Sequence, residues 1–425
     1  MKVYKFGGAS VKDAEGVRNV TKILSQEKGE LVVVVSAMGK TTNALETILA
    51  DFLAGKDKEG EEKWANLLEY HFQILQDLGF DDDAHLQLLR VVEKASPKSW
   101  EQIRDKAEQS LSYEQVYDSF VRLGELLSST IVASYLEYCG INVVLWDATK
   151  VLRTDNTFRE AVVDMQESKR LIQQAWKVSQ GRGIVVTQGF IGGTKDGQPT
   201  TLGREGSDYT AAIIGNILNA ESVTIWKDVP GILNADPRLV RETTKIDELS
   251  YNDAVELAYS GAQIIHPKTI RPLENKHIPL FVKPFNDATA IGSVIKDNAK
   301  AITVPVYIWR KNQVLITMRA KDFSFVLEES LSHIFDVIKT YRLRVSLIQS
   351  SAVTISVCVD NTRYVQQAIR TLTDNYKVSW NENLSLLTIR GTTPEILQHE
   401  KQGRTILLSQ TTRRTARLII KEDNL

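Results

Sequence analysis

The chain has 425 residues, 43% hydrophobic and 25% charged, with a formal net charge of −1. That supports a large core divided into two or three domains, lacks the basic footprint of a nucleic-acid binder, and points to small-molecule partners. Cys139 and Cys358 stand far apart, outside any Cys-x-x-Cys spacing, and indicate neither a disulfide framework nor a structural zinc.

Met1-Lys2-Val3-Tyr4-Lys5 runs straight into a strand pattern without an apolar leader, and no segment approaches the roughly 18 apolar residues of a membrane span, so the expected compartment is the cytoplasm. The opening reads as strand Val3–Phe6, a Gly7-Gly8 turn, helix Val11–Ser25 and strand Leu31–Val35. An unbroken β-branched run such as Leu31–Val35 suits a parallel sheet covered on both faces, which is βαβ logic. Residues 41–138 read as mostly helical. The clearest case is Tyr113–Tyr138, where Val116, Phe120, Leu123, Leu127 and Ile131 form one stripe. Strands return at Asn142–Trp146, Gly183–Gln188 and Ser222–Lys227, with helices Gln166–Val178 and Tyr209–Leu218 between them. The alternation predicts a three-layer α/β/α domain. Ser250–Ser260, Thr269–Asn275 and Leu280–Lys283 extend it over residues 1–297.

Past Asp297-Asn298-Ala299-Lys300 the texture changes to shorter strands with fewer glycines. Strands are expected at Gln313–Thr317, Arg344–Ile348, Val353–Val359, Tyr376–Asn381 and Leu384–Arg390, with helices near Leu327–Tyr341 and Thr362–Asp374. This β-α-β-β-α-β order predicts a ferredoxin-like α+β module. Thr405–Ser409 and Thr415–Ile420 read as strands of a second, apparently truncated copy within residues 303–425.

Four stretches carry chemistry. Lys5-Phe6-Gly7-Gly8-Ala9-Ser10 sets a lysine at a strand end and glycines in the turn, where a parallel sheet presents its ligand edge; a phosphate is the expected guest, a plain structural turn the alternative. Ser36-Ala37-Met38-Gly39-Lys40-Thr41 imitates the end of a P-loop, but Val34 occupies the position that rule reserves for glycine. Ser36, Thr41, Thr42 and Asn43 remain small hydrogen-bonding groups at a strand end. Thr200–Ala212, with Gly203, Arg204, Gly206, Ser207 and Asp208, places a cation, a hydroxyl and a carboxylate on a glycine-flexed turn opening a helix, with Ser207 or Asp208 as its expected cap. Lys227-Asp228-Val229-Pro230-Gly231 follows a strand and suits a nucleotide base and ribose, with Arg238 available for phosphate oxygens. Glu125 taken by itself reads as a solvated carboxylate, and His266 in His266-Pro267-Lys268 as a structural group.

In this order, Lys5–Ser10, Ser36–Asn43, Leu123–Ser128, Thr187–Gly192, Thr201–Ala212, Lys227–Arg238 and Gly261–Pro267 resemble the aspartate kinases of the amino-acid kinase superfamily, and the second module resembles their tandem ACT domains. The resemblance implies transfer of the ATP γ-phosphoryl group to the side-chain carboxylate of L-aspartate, giving 4-phospho-L-aspartate for the lysine, threonine and methionine branches. Two anions must then meet, and unit charges 4 Å apart at an effective dielectric of about 20 repel by about 4 kcal/mol. By the resemblance, Lys5 and Asp208 are catalytic, with Asp208 facing the substrate ammonium or orienting the lysine. Arg204 pairs with the α-carboxylate, Glu125 faces the ammonium, and Ser36, Thr42, Asn43 and Ser207 complete the aspartate site. The nucleotide lies along Lys5, Gly7, Gly8, Ser10, Lys227, Asp228, Leu233, Arg238, Gln263 and Ile264. No protein metal site is implied: Mg²⁺ rides on the ATP phosphates. Two copies pair through the ACT-like region.

Ala9 stands where the family has Ser or Thr, Leu233 where some members have tyrosine, and Gln263 where some have lysine; these departures bear on nucleotide affinity. In the ACT-like region, Glu329-Ser330 stand where lysine-inhibited relatives have Gly-Phe at the ACT helix start, and Ser346 and Ala352 where those relatives have the aspartate and glutamate that hold the effector's ammonium, so lysine inhibition is expected to be weak or absent. The rival readings are a kinase of glutamate, N-acetylglutamate or carbamate, and a catalytically silent amino-acid-binding regulator.

Overall fold

The computed structural model describes residues 1–80, 88–90, 112–240, 242–262, 265–321 and 328–422, in two compact units. The first comprises Met1–Ile232, Lys245–Val255 and Gln263–Ala301; the second comprises Ile302–Leu425 together with Leu233–Thr244 and Glu256–Ala262.

An eight-stranded sheet forms the first unit, in the order Glu248–Leu249, Ser293–Ile295, Leu280–Pro284, Ser222–Lys227, Lys2–Phe6, Leu31–Val35, Ile184–Gln188 and Val143–Trp146. All neighbours run parallel except Leu280–Pro284 with Ser293–Ile295. Leu31–Val35 is buried at every residue, as its β-branched run requires. Lys2–Phe6 lies between Leu31–Val35 and Ser222–Lys227, with Lys5 opposite Val34 and Ile225 and Phe6 opposite Val35 and Trp226. Four adjacent parallel strands therefore end at one edge, in Phe6, Val35, Gln188 and Lys227. That edge is where an open α/β sheet takes its ligands.

Several elements differ from expectation for local reasons. The first helix begins at Ala14 rather than Val11, because the Asp13 carboxylate caps it by accepting from Gly16 N at 2.8 Å. The single run over residues 113–138 is two helices, Tyr113–Val121 and Leu123–Tyr138, joined at Arg122. Within residues 41–112, helices Thr41–Leu53 and Asp57–Leu78 are as expected, while 81–87 and 91–111 lie outside the described residues. A short hairpin not foreseen, Ile191–Gly193 with Pro199–Thr201, precedes the Arg204 turn. The following helix starts at Gly206, not Tyr209, so Ser207 and Asp208 sit in its first turn instead of capping it. Helix Pro267–Glu274 starts two residues early, capped by His266, whose Nδ1 accepts from Lys268 N at 3.2 Å.

The second unit carries six antiparallel strands, in the order Val345–Ser350, Thr354–Asp360, Val306–Ala320, Tyr376–Arg390, Thr415–Lys421 and Ile406–Thr411. The strands expected separately at Tyr376–Asn381 and Leu384–Arg390 are one, and Gln313–Thr317 is the middle of a strand three times as long. Asn312 and Asn383 adopt left-handed φ of 55° and 56°, which Asn tolerates, and let each long strand change course without ending. Helices Glu328–Thr340 and Val365–Asn375 pack on one half of the sheet through Ile334, Val337, Ala368 and Leu372. A helix missed in the sequence, Pro394–Lys401, packs on the other half through Ile396 and Leu397 against Leu387, Ile389 and Leu418.

Replacing the cap in Asp13→Ala should lower stability by about 1 kcal/mol, read as a lower urea midpoint at unchanged slope.

Candidate active site

Lys5 is the penultimate residue of the central strand, and its ammonium meets Asp208 Oδ1 at 2.6 Å. The Lys227 ammonium lies 3.8 Å from Asp208 Oδ2, so one carboxylate bridges lysines from two neighbouring strands. Asp208 is 2% exposed. Burial opposes its ionisation, but the two ammoniums outweigh that and hold the carboxyl below its ordinary range. One negative charge between two positive ones leaves this edge positive, ready for an anion.

The Gly7-Gly8 turn lies beside Lys5. A Cβ on Gly8 would fall 2.6 Å from the Ala37 carbonyl oxygen and 2.9 Å from that of Gly39, so only glycine lets this turn meet the next one. Gly39 N donates to Gly8 O at 2.9 Å and Ser36 N to Phe6 O at 3.1 Å, stitching the two turns together. A Cβ on Gly7 would stand 3.6 Å from the lysine nitrogen. Ser10 is buried just beyond, and Ala9 is exposed. Ser36 and Thr42 are half-buried and Asn43 exposed; Ser36 O accepts from Ser128 Oγ at 2.7 Å.

Glu125 is not the solvated carboxylate that its helix pattern suggests: it is 2% exposed. Oε2 accepts from Gly189 N at 2.7 Å and Phe190 N at 2.6 Å, and Oε1 accepts from Ser207 Oγ at 2.8 Å. The approach is this close because Gly189 has no side chain; a Cβ there would lie 2.5 Å from Ser207 Cβ. Burial pushes the Glu125 carboxyl up to about 7, against the pull of those three donors and of Lys5. Of roughly four acceptor directions on a carboxylate, three are used, leaving one for a further donor.

Arg204 is exposed at the head of the next turn, and among the described residues nothing engages its guanidinium. Glu205 follows with a left-handed φ of 55°, a conformation costing a residue with a side chain about 1–2 kcal/mol. Its Oε2 accepts from His266 N at 2.7 Å. His266 thus has the structural place expected of it. Asp118, which the sequence reading passed over, is fully buried: Oδ2 accepts from Arg159 N at 2.9 Å and Thr201 N at 2.8 Å, and Oδ1 from Thr201 Oγ1 at 2.6 Å. The available signal was an aspartate flanked by Val116, Tyr117, Phe120 and Val121 on an apolar helix face.

The first unit therefore brings together Lys5, Gly7, Gly8, Asp208 and Lys227, and joins Glu125 to Ser207. Asp228 is exposed beyond Lys227. Leu233 and Arg238 belong to the second unit, where Arg238 Nη2 pairs with Asp236 Oδ2 at 2.6 Å. Gln263 and Ile264 lie outside the described residues. Among the described residues, no three His, Cys, Asp or Glu side chains cluster around a common centre, and no helix is long and apolar enough to cross a membrane.

The pH dependence of Glu125 has a definite sign. Below pH about 4 it is protonated in both states; as pH rises towards about 7 the unfolded chain ionises freely while the folded one does not, so folding loses stability. Relative to Glu125→Gln, the parent should lose on the order of 3 kcal/mol between pH 4 and 8, measured by urea unfolding at each pH. Parallel pH curves for the two proteins would rule this out.

Residues 1–284 match the amino acid kinase family. The chain is 30% identical over 400 residues to lysine-sensitive aspartokinase 3 of Escherichia coli, over 92% of this chain and 86% of that one. It is 29% identical over 397 residues to the aspartokinase of Chlamydia trachomatis, with the same two coverages of 92% and 86%. Among solved structures, E. coli aspartokinase III in complex with aspartate and ADP matches over 100% of this chain and 96% of that one, with a TM-score of 0.86 and 27% identity.

Proposed function

The chain belongs to the amino acid kinase family and, within it, to the aspartokinases, and we propose on that premise that the sheet edge around Lys5 is where it phosphorylates L-aspartate with ATP. The observation that carries the assignment to this edge is the Lys5–Asp208–Lys227 cluster, with the buried Glu125 and the unengaged Arg204 on the elements beside it. An oxygen of the aspartate side-chain carboxylate attacks the γ-phosphorus, the new P–O bond forms, and the bond to the β–γ bridging oxygen breaks to release ADP. The products are 4-phospho-L-aspartate and ADP, and no proton has to leave the nucleophile.

Protein groups contribute position and charge to such a transfer. Lys5 meets the phosphate oxygens as a point charge, and Asp208 keeps its ammonium aimed. The Gly7–Gly8 turn offers backbone N–H groups, with Ser10 behind it. Lys227 and Asp228 continue the nucleotide's path, and Leu233, Arg238, Gln263 and Ile264 are assigned to it on the resemblance. Mg²⁺ enters on the nucleotide's phosphates. Arg204 takes the α-carboxylate, and Glu125 gives its remaining acceptor direction to the α-ammonium. Ser36, Thr42, Asn43 and Ser207 supply hydroxyl and amide contacts. An amino acid whose nitrogen is acylated cannot offer Glu125 an ammonium, which disfavours N-acetylglutamate as acceptor.

Trapping the acyl phosphate as its hydroxamate, with aspartate, glutamate and N-acetylglutamate supplied in parallel, should give product with aspartate alone. Product with glutamate or N-acetylglutamate in place of aspartate, or no product with any of the three, would sink the reading.

We further assign the pairing of two copies to the ACT-like region and the site of action to the cytoplasm. Lysine is not the effector in this reading, because Ser346 Oγ already accepts from Arg310 Nη1 at 2.9 Å and Ala352 offers no carboxylate. Initial rates should stay unchanged up to millimolar lysine; inhibition at submillimolar lysine would refute the assignment.

A further inference from the structure

The turn that carries Arg204 is held from both ends by carboxylates to which the proposed chemistry gives no part. Upstream, Asp118 takes the backbone N–H and the hydroxyl of Thr201 on one side and Arg159 N on the other. Ala161 N donates to Thr201 O at 3.0 Å, and Leu202 N to Phe190 O at 2.9 Å, so the hairpin end is tied to two further segments. Gly203 then rests on the segment Asp118 holds: a Cβ there would lie 3.2 Å from Arg159 O and 3.3 Å from Glu160 Cγ. Downstream, Glu205 keeps a left-handed backbone and reaches across to accept from His266 N at 2.7 Å. His266 in turn caps Pro267–Glu274, a helix with Thr269, Ile270 and Leu273 buried. Between these two anchors only Arg204 projects into solvent without a partner among the described residues.

We propose that Asp118 and Glu205 are positioning residues for substrate recognition, fixing the Thr201–Glu205 turn so that the Arg204 guanidinium is already aimed where the acceptor's α-carboxylate arrives. The inference rests on the reading of Arg204 given above and adds the reason that an exposed arginine serves as a specific clamp. A long side chain on a loose turn must be ordered on binding, whereas one on a turn fixed at both ends loses less freedom. The Glu205 conformation is one that glycine adopts without penalty, so the backbone gives no reason for glutamate here; what the glutamate side chain adds is the bond that ties the turn to His266 N.

That contrast supplies the test. Glu205→Gly removes the link to His266 while relieving the backbone, so folding should be preserved. Glu205→Gln keeps an acceptor for His266 N. Thr201→Val removes one of the three donors to Asp118 and leaves that carboxylate satisfied by two backbone N–H groups. Steady-state rates are measured on the full chain with aspartate varied at saturating ATP, then with ATP varied, beside thermal unfolding. Glu205→Gly should raise the KM for aspartate roughly fivefold or more with kcat within about twofold, because the lost contribution is ground-state and transition-state binding alike. The KM for ATP should stay within about twofold and the melting temperature should not fall. Glu205→Gln should sit near the parent, and Thr201→Val should shift the aspartate KM in the same direction as Glu205→Gly by a smaller factor. An unmoved aspartate KM in folded, active Glu205→Gly overturns the positioning role alone. Equal losses in both substrates' KM and in kcat overturn it too, as general damage. A parent without aspartate-dependent turnover overturns the functional reading along with it.

Discussion

A lysine buried in the middle of a parallel sheet is the constraint around which the first unit is arranged. Lys5 can occupy the central strand only because Asp208 meets its ammonium at 2.6 Å, and Asp208 can be buried only because Lys227 approaches from the neighbouring strand. Removing one partner from such a pair leaves an uncompensated charge in a low dielectric, which costs far more than the intact pair contributes. The sheet order has to place Lys2–Phe6 beside Ser222–Lys227, and helix Gly206–Leu218 has to start with Asp208 in its first turn, for these charges to meet. The surplus positive charge is the chemical consequence. It faces the end of the sheet at which Gly8 allows two turns to touch, so the same arrangement that makes the lysine tolerable also makes an anion welcome.

Glu125 shows the complementary strategy for a negative charge. It is buried without a cation in direct contact and is held chiefly by donors, two backbone N–H groups that glycine at 189 brings within reach and one hydroxyl, with a lesser pull from Lys5. Hydrogen bonds compensate only part of the desolvation, which is why its carboxyl titrates near neutrality while that of Asp208 stays low. Two carboxylates close together in the fold are thus held in different protonation regimes by their immediate neighbours.

Much of this was legible in the residues. The β-branched run Leu31–Val35, the Gly7-Gly8 turn after Lys5 and the glycine-flexed turn that carries Arg204, Ser207 and Asp208 point to one ligand edge, and the sheet order agrees. What escaped did so for identifiable reasons. Glu125 and Asp118 sit on helices whose patterns give no sign of what lies across the fold, and their partners are largely backbone N–H groups of distant segments, which carry no residue signature. Glu205 could not be recognised as a left-handed residue because glycine usually marks that position. The helix start at Gly206 was hidden because Ser207 and Asp208 looked like caps, while their side chains were committed to Glu125 and Lys5. In the second unit, Asn383 was read as the gap between two strands, whereas a left-handed asparagine lets one strand run through.

Those through-running strands have a consequence for how the second unit comes apart. Val306–Ala320 and Tyr376–Arg390 pair with each other along nearly their whole length, and each contributes to both halves of the sheet. The half that carries Glu328–Thr340 and Val365–Asn375 is contiguous, from Gln313 to Asn381, whereas the other half is assembled from Val306–Arg310 and Leu384–Lys421 on either side of it. Val306–Arg310 must find Leu386–Arg390, 76 to 84 residues further along (386 − 310 and 390 − 306), before the split half is complete, which makes this region slow to assemble. Once assembled, it should open as a single cooperative block, and a disturbance that loosens one half will be felt in the other through two shared ribbons of backbone.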